Sequence, residues 1–93
     1  MHVWEPKTGE GRASALVTLL ILRSLSSVPQ KLAARAVVER REKLGIAEKP
    51  RTVRNHIRYL LREGLLEPLV VNGIIYVRVS EKGEELARSI FSG

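Results

Sequence analysis

PRTVRNHIRYLLREGLLEPLVVNGIIYVRVS, residues 50–80, holds the two signals that decide the fold. The first half has a helical period. Val53, Ile57, Leu60 and Leu61 recur on one face, while Arg51, Arg54, Arg58 and Arg62, spaced three, four and four apart, stack along the other. Pro50 suits the first helical position, where its missing N–H would have no partner, and Gly64 stops the helix, so a helix is expected over 50–63. The cap is poor, because Lys49 is not a capping residue; Thr52 or a bound phosphate would have to compensate. The second half is a pair of β-branched runs about Asn72-Gly73, which predicts a two-residue type I′ hairpin. The implied register pairs Val71 with Ile74, Leu69 with Tyr76, and Glu67 with Arg78 as a cross-strand charge pair. Ser80 then caps a last helix with Glu81, Glu84 and Glu85 in its first turns and Leu86, Ile90 and Phe91 on its apolar side.

Upstream of residue 50 a second helix is expected over about 30–44, with Leu32, Ala33, Ala36, Val37 and Leu44 facing inward. Arg40, Arg41 and Lys43 crowd its last turns, where cations complement the helix dipole. Gly45 ends it, and residues 45–49 form a turn whose Ile46 is expected to plug the core. Residues 26–29 (SSVP) break the pattern and supply a short extended segment. The stretch 12–25 is helical and apolar nearly all round, which in so small a chain suggests that part of it meets another subunit. Residues 1–11 read as an arm ahead of a single domain over 12–93. Its Gly9-x-Gly11 pair lacks the preceding strand and third glycine of a phosphate loop.

Ninety-three residues make one small domain, and 44% hydrophobic with 28% charged residues is the composition of a folded chain. The absence of Cys excludes disulfides and thiolate metal sites; two lone His residues do not build a zinc site, and no cofactor is expected. Neither a signal peptide nor a membrane span is legible, so a soluble cytoplasmic protein is the expectation. There is no Asp, few Asn or Gln, and eleven Arg against five Lys, a usage that fits a thermophile and equally a GC-rich genome. Charge is unevenly placed. Residues 31–62 carry ten of the sixteen Lys and Arg against three Glu, a local net of +7 in a chain of +6. Such a face suits a polyanion. No carboxylate pair, nucleophile–base pair or metal cluster offers itself for catalysis, so an enzyme is not expected.

The order helix, short strand, helix, turn, helix, hairpin, helix defines an α+β fold with a helix–turn–helix at its centre. Thr52, Val53, Ile57, Leu60, Glu63, Gly64 and Leu65 resemble the "TV-x-x-x-I/L-x-x-L … E-G-L" run of the winged helix–turn–helix family. Ser80, Gly83 and Leu86 resemble the "T/S-x-x-G-x-x-L" that opens the last helix of MarR-type and archaeal relatives. The resemblance spans roughly residues 12–91. It implies a three-helix core, a two-stranded β-hairpin wing and a C-terminal helix. It further implies a homodimeric transcriptional regulator, binding double-stranded DNA with helix 50–63 in the major groove. Arg51, Arg54, Asn55 and Arg58 would then face base edges, since Arg grips guanine and Asn adenine with two bonds each. Lys31, Arg35, Lys49, Thr52, Arg62 and Arg78 would hold phosphates. Trp4, Leu19, Leu22, Ile90 and Phe91 are the candidate dimer interface.

The family's wings usually carry Lys or Arg at the tip, whereas Val71-Asn72-Gly73-Ile74 is apolar on both sides of the turn. That favours a protein partner at the wing tip, and a protein-interaction module or a structured-RNA binder are the alternative functions. The arginine stripe could instead be a solvated, ion-paired surface. His56 and Tyr59 could pack or reach nucleic acid.

Overall fold

The computed structural model describes the backbone of residues 9–92 and the side chains of residues 11–90. Its elements run α1 (Gly9–Ser24), β1 (Val28–Pro29), α2 (Gln30–Lys43), α3 (Pro50–Arg62), β2 (Leu66–Val71), β3 (Ile74–Val79) and α4 (Glu81–Ser92). α1 begins three residues earlier than expected, so Gly9 and Gly11 lie in its first turn rather than in an arm. Trp4 falls outside the described residues, as does the side chain of Phe91.

α1 is the axle of the domain. It packs against α2, α3, β3 and α4, which is why its sequence is apolar nearly all round. Leu19 and Leu22 are fully enclosed by the chain itself, at 0% and 1% exposure, and Ile21 is buried too. The apolar excess that suggested a second subunit meets four neighbouring elements of the same chain. Val37 of α2, Val53 and Leu60 of α3, Leu66 of β2 and Val77 of β3 complete the core. Each fully buried side chain of this size contributes on the order of 1.5–3 kcal/mol.

The hairpin has the expected register, with Glu67↔Arg78, Leu69↔Tyr76 and Val71↔Ile74 as partners. Asn72 and Gly73 both have positive φ, 50° and 78°, the type I′ geometry whose twist matches the flanking strands. The sheet has three strands rather than two, in the order β1-β3-β2. β1 adds to β3 through Val28↔Val77 and Pro29↔Tyr76. Pro29 has no N–H to extend the ladder and is also the residue before α2, so the third strand ends after two residues.

Three apolar residues expected inside lie outside: Leu32, Leu44 and Ile46 are 53%, 62% and 41% exposed. Leu44 caps α2, beyond its last inward turn. The N–H of Ile46 bonds to Arg41 O, and that of Gly45 to Glu42 O, closing the helix end without drawing the Ile46 side chain inward. The space beneath this turn holds the buried Arg41 side chain instead.

α3 ends in a Schellman arrangement, Leu65 N–H to Leu60 O and Gly64 N–H to Leu61 O, which turns the chain directly into β2. The same corner receives α4. Ser80 caps α4 by accepting from the Gly83 N–H at 3.0 Å and donates its own hydroxyl to Gly64 O. The end of the third helix and the start of the fourth thus share one serine. Gly83 is required here by proximity: a Cβ would stand 2.2 Å from Leu65 O and 2.7 Å from a Val79 methyl. The nearest atom is backbone and cannot swing aside. Gly83→Ala is expected to destabilise the fold by about 1–3 kcal/mol, read as a lowered urea midpoint at unchanged slope. Wild-type stability in that variant would show that the corner is not close-packed.

Candidate functional site

α3 divides its residues cleanly. Val53, His56, Ile57 and Leu60 are buried; Arg51, Arg54, Arg58 and Arg62 are exposed, with Asn55 half-exposed beside them. The arginines follow from a heptad-like pattern in which every inward residue is apolar or histidine, leaving the outer stripe free for charge. Arg51, Arg54 and Arg58 make no ion pair among the described residues, so this face is not the salt-bridged surface that composition alone would also allow. Arg62 lies over the Tyr59 ring, 5.4 Å from its centre, which steers its guanidinium to the edge of the stripe. Tyr59 packs toward α4, in a hollow with Leu65, Lys82 and Leu86, rather than against α2.

A cleft of about 570 Å³ separates the start of α2 from α3. Lys31 and Arg35, one turn apart on α2, line one wall; Arg54 and Arg58, one turn apart on α3, line the other. Leu32, Ile57 and Leu61 supply its apolar part, which accounts for the exposure of Leu32. Both helix N-termini open here, through Gln30 and Pro50. Neither has a side-chain cap or an acid in its first turn, as Pro29 and Lys49 are the cap residues. α4 is the contrast, with Ser80 as cap and Glu81 and Glu84 in its first turn. Four cations and two uncapped helix starts converge on one cleft, an arrangement that attracts anionic oxygen.

Of the expected site residues, Lys31, Arg35, Arg54 and Arg58 share this cleft. Arg51 and Asn55 continue the same face, and Lys49 and Thr52 stand at the start of α3. Thr52 forms no bond that replaces the missing cap among the described residues. Arg78 differs from the rest. Its Nε donates to Glu67 at 2.9 Å, so its charge is already matched within the wing. Ile90 remains exposed on α4.

Behind the basic face lies a buried polar cluster that the sequence did not reveal. Arg41, one of the three cations expected to complement the dipole at the end of α2, is 4% exposed. Its Nη1 donates to Ser14 O at 3.3 Å and, at a long 3.5 Å, to Thr18 Oγ1; its Nη2 donates to Ser14 Oγ at 3.2 Å. Glu48, in the turn, stands 3.6 Å from Nη2. Thr18 Oγ1 lies 3.0 Å from Nδ1 of His56, itself 2% exposed. The Arg41 Nε has no hydrogen-bond partner among the described residues. The one available signal was Thr18, a polar residue inside an apolar helix, which needs a buried partner.

Neither a protein-family model nor a curated protein matches the chain. Among solved structures it is similar to a PadR family transcriptional regulator from Eggerthella lenta DSM 2243, at 26% sequence identity and a TM-score of 0.63. The match covers 89% of this chain and 74% of that one. Four helices, a short sheet and a hairpin wing in this order are a winged helix fold.

Burial, and next the Arg41 guanidinium, lower the pKa of His56 below its ordinary 6.5, with Glu48 opposing. A lowered folded value means that acid protonates the unfolded chain first. The contribution of His56 is complete above about pH 6.5 and is lost as pH falls through the folded value. Urea midpoints are therefore expected to decline between about pH 7 and about pH 5, and to decline less in His56→Asn, whose amide oxygen can accept from Thr18. Identical pH profiles for the two proteins would remove His56 from the account.

Proposed function

We propose that this chain is a sequence-specific double-stranded DNA-binding protein, a small transcriptional regulator that acts as a homodimer. The observation that carries the reading is the arginine face of α3, exposed, without ion pairs at Arg51, Arg54 and Arg58, and continued across a cleft by Lys31 and Arg35. DNA carries one negative charge per ~1.7 Å of axis, and a row of cations on a rod-like helix about as wide as the major groove matches that charge and shape together. The likeness to a transcriptional regulator supports the same reading.

In this arrangement α3 enters the major groove. Arg54, Asn55 and Arg58 read base edges, with Arg51 beside them. Lys31, Arg35, Lys49, Thr52 and Arg62 hold phosphates around the reading helix, the two uncapped helix starts adding N–H donors. Arg78 drops to a minor role because Glu67 neutralises it. Two copies related by a twofold axis would place their α3 helices in successive major grooves about 34 Å apart and read a pseudo-palindrome. With Leu19 and Leu22 consumed in the core, Ile90 on α4 is the described interface candidate that remains.

A second reading draws on the wing. Val70, Val71, Ile74 and Ile75 are all exposed at the hairpin tip, an apolar surface on which a protein partner would dock. Sedimentation at high salt separates the readings, since a hetero-interaction module stays monomeric and ignores DNA. Competition between RNA and DNA duplexes addresses structured RNA.

Fluorescence anisotropy on a random duplex across a salt series tests the leading reading. Log K is expected to fall steeply with log salt, at a slope of roughly −0.9 per phosphate neutralised. No binding at low salt would overturn it. On a selected operator, Arg54→Ala or Arg58→Ala is expected to cost about 1–3 kcal/mol and relax the choice of one base, while Arg62→Ala weakens all sequences about equally. Uniform losses from all three variants would contradict the assigned base readers.

A further inference from the structure

We propose that the buried chain Arg41–Thr18–His56 positions the reading helix in a proton-sensitive way, so that protonating His56 loosens α3 and weakens DNA binding. The inference rests on the DNA-binding reading above and adds a control that the basic face itself does not contain.

The geometry is directional. A guanidinium only donates, so Thr18 Oγ1 accepts from Arg41 Nη1. The nearby Ser14 carbonyl is already held by Arg41. We assign the Thr18 hydrogen to Nδ1 of His56, 3.0 Å away, the arrangement of a neutral ring with Nδ1 as the acceptor. This is a buried polar link between α1 and α3, and it inserts at the residue adjoining Asn55 and two positions from Arg54 and Arg58.

Protonation reverses the link. Nδ1–H would then point at the same Thr18 oxygen that Arg41 addresses, and the buried Thr18 hydroxyl would lose its imidazole acceptor. A second cation would also stand near Arg41. Among the described residues the charged groups acting on His56 include Arg41 from α2, which opposes protonation, and Glu48 from the α2–α3 turn, which favours it; α1 faces it with the hydroxyl of Thr18. Glu48 is partly solvated and is 3.6 Å from Arg41, so its charge is already engaged. Moving the ring away from α1 relieves this clash, and α3 carries the ring.

The sign of the effect is what makes the proposal testable. Adding positive charge to a protein normally strengthens its binding to a polyanion as pH falls. Release of α3 does the opposite. Anisotropy of a duplex at fixed ionic strength is expected to show affinity falling about threefold or more from about pH 8 to about pH 5.5, and His56→Asn is expected to hold or gain affinity over the same range. Wild-type affinity that stays level or rises on acidification would overturn the proposal. Absence of binding at the higher pH would instead overturn the DNA reading. Ring-proton NMR of the wild-type protein judges the device independently of DNA. Titration of His56 is expected to be accompanied by shifts in the amides of Arg54, Asn55 and Arg58. Titration of His56 with those amides unmoved would overturn the device.

Discussion

Burial of one face of α3 is the constraint on which the rest depends. Val53, Ile57 and Leu60 press the helix into α1 and α2, and that contact fixes where the arginines point. A helix with this many like charges at spacings of three and four would not hold together in isolation, because neighbouring cations repel by a few tenths of a kcal/mol per pair. Tertiary packing supplies what the sequence of the helix lacks. The outer face can then be given wholly to charge.

The sheet and α4 secure the other end of the same helix. The Schellman bonds at Gly64 set the direction of β2, and the wing follows from it. Ser80 ties Gly64 O to the first turn of α4, while Gly83 lets that turn approach Leu65 closely. α3 is therefore held by α1 and α2 along its length and by a shared corner at its end. The serine and glycine of the S-x-x-G-x-x-L run have separate tasks there: one supplies hydrogen bonds, the other supplies room.

What could be read in the sequence follows from the range of the forces involved. The hairpin register, the turn at Asn72-Gly73 and the end of α3 at Gly64 are encoded within a few residues, and they appear as expected. The arginine stripe was legible because helical period is local. Inside-or-outside was less secure where it depended on distant neighbours. Leu19 and Leu22 looked surplus until α4 and β3 were placed around α1, and Leu32 looked buried until the cleft opened beside it. Arg41 is the clearest case. Three cations at a helix end suggest a solvated cluster, and only a hydroxyl one turn inside α1 and an acid seven residues further along the chain make one of them internal.

Arg41 also shows how the chain separates two kinds of positive charge. The buried guanidinium has fixed partners and serves the position of α3; Arg51, Arg54 and Arg58 make no ion pair among the described residues. Such a surface carries self-repulsion that acids could relieve, yet residues 31–62 hold only three, and one of them, Glu48, is turned toward Arg41. The remaining repulsion is reduced by dissolved salt, which screens exposed charges over about 8–10 Å, and more strongly by a bound polyanion. Salt thus acts in opposite directions on the two properties of this face: it eases the fold and weakens the complex. A chain selected for stability alone would interleave Glu among those arginines. Its absence from the outer face of α3 between Arg51 and Arg62 leaves a surface suited to an anionic partner.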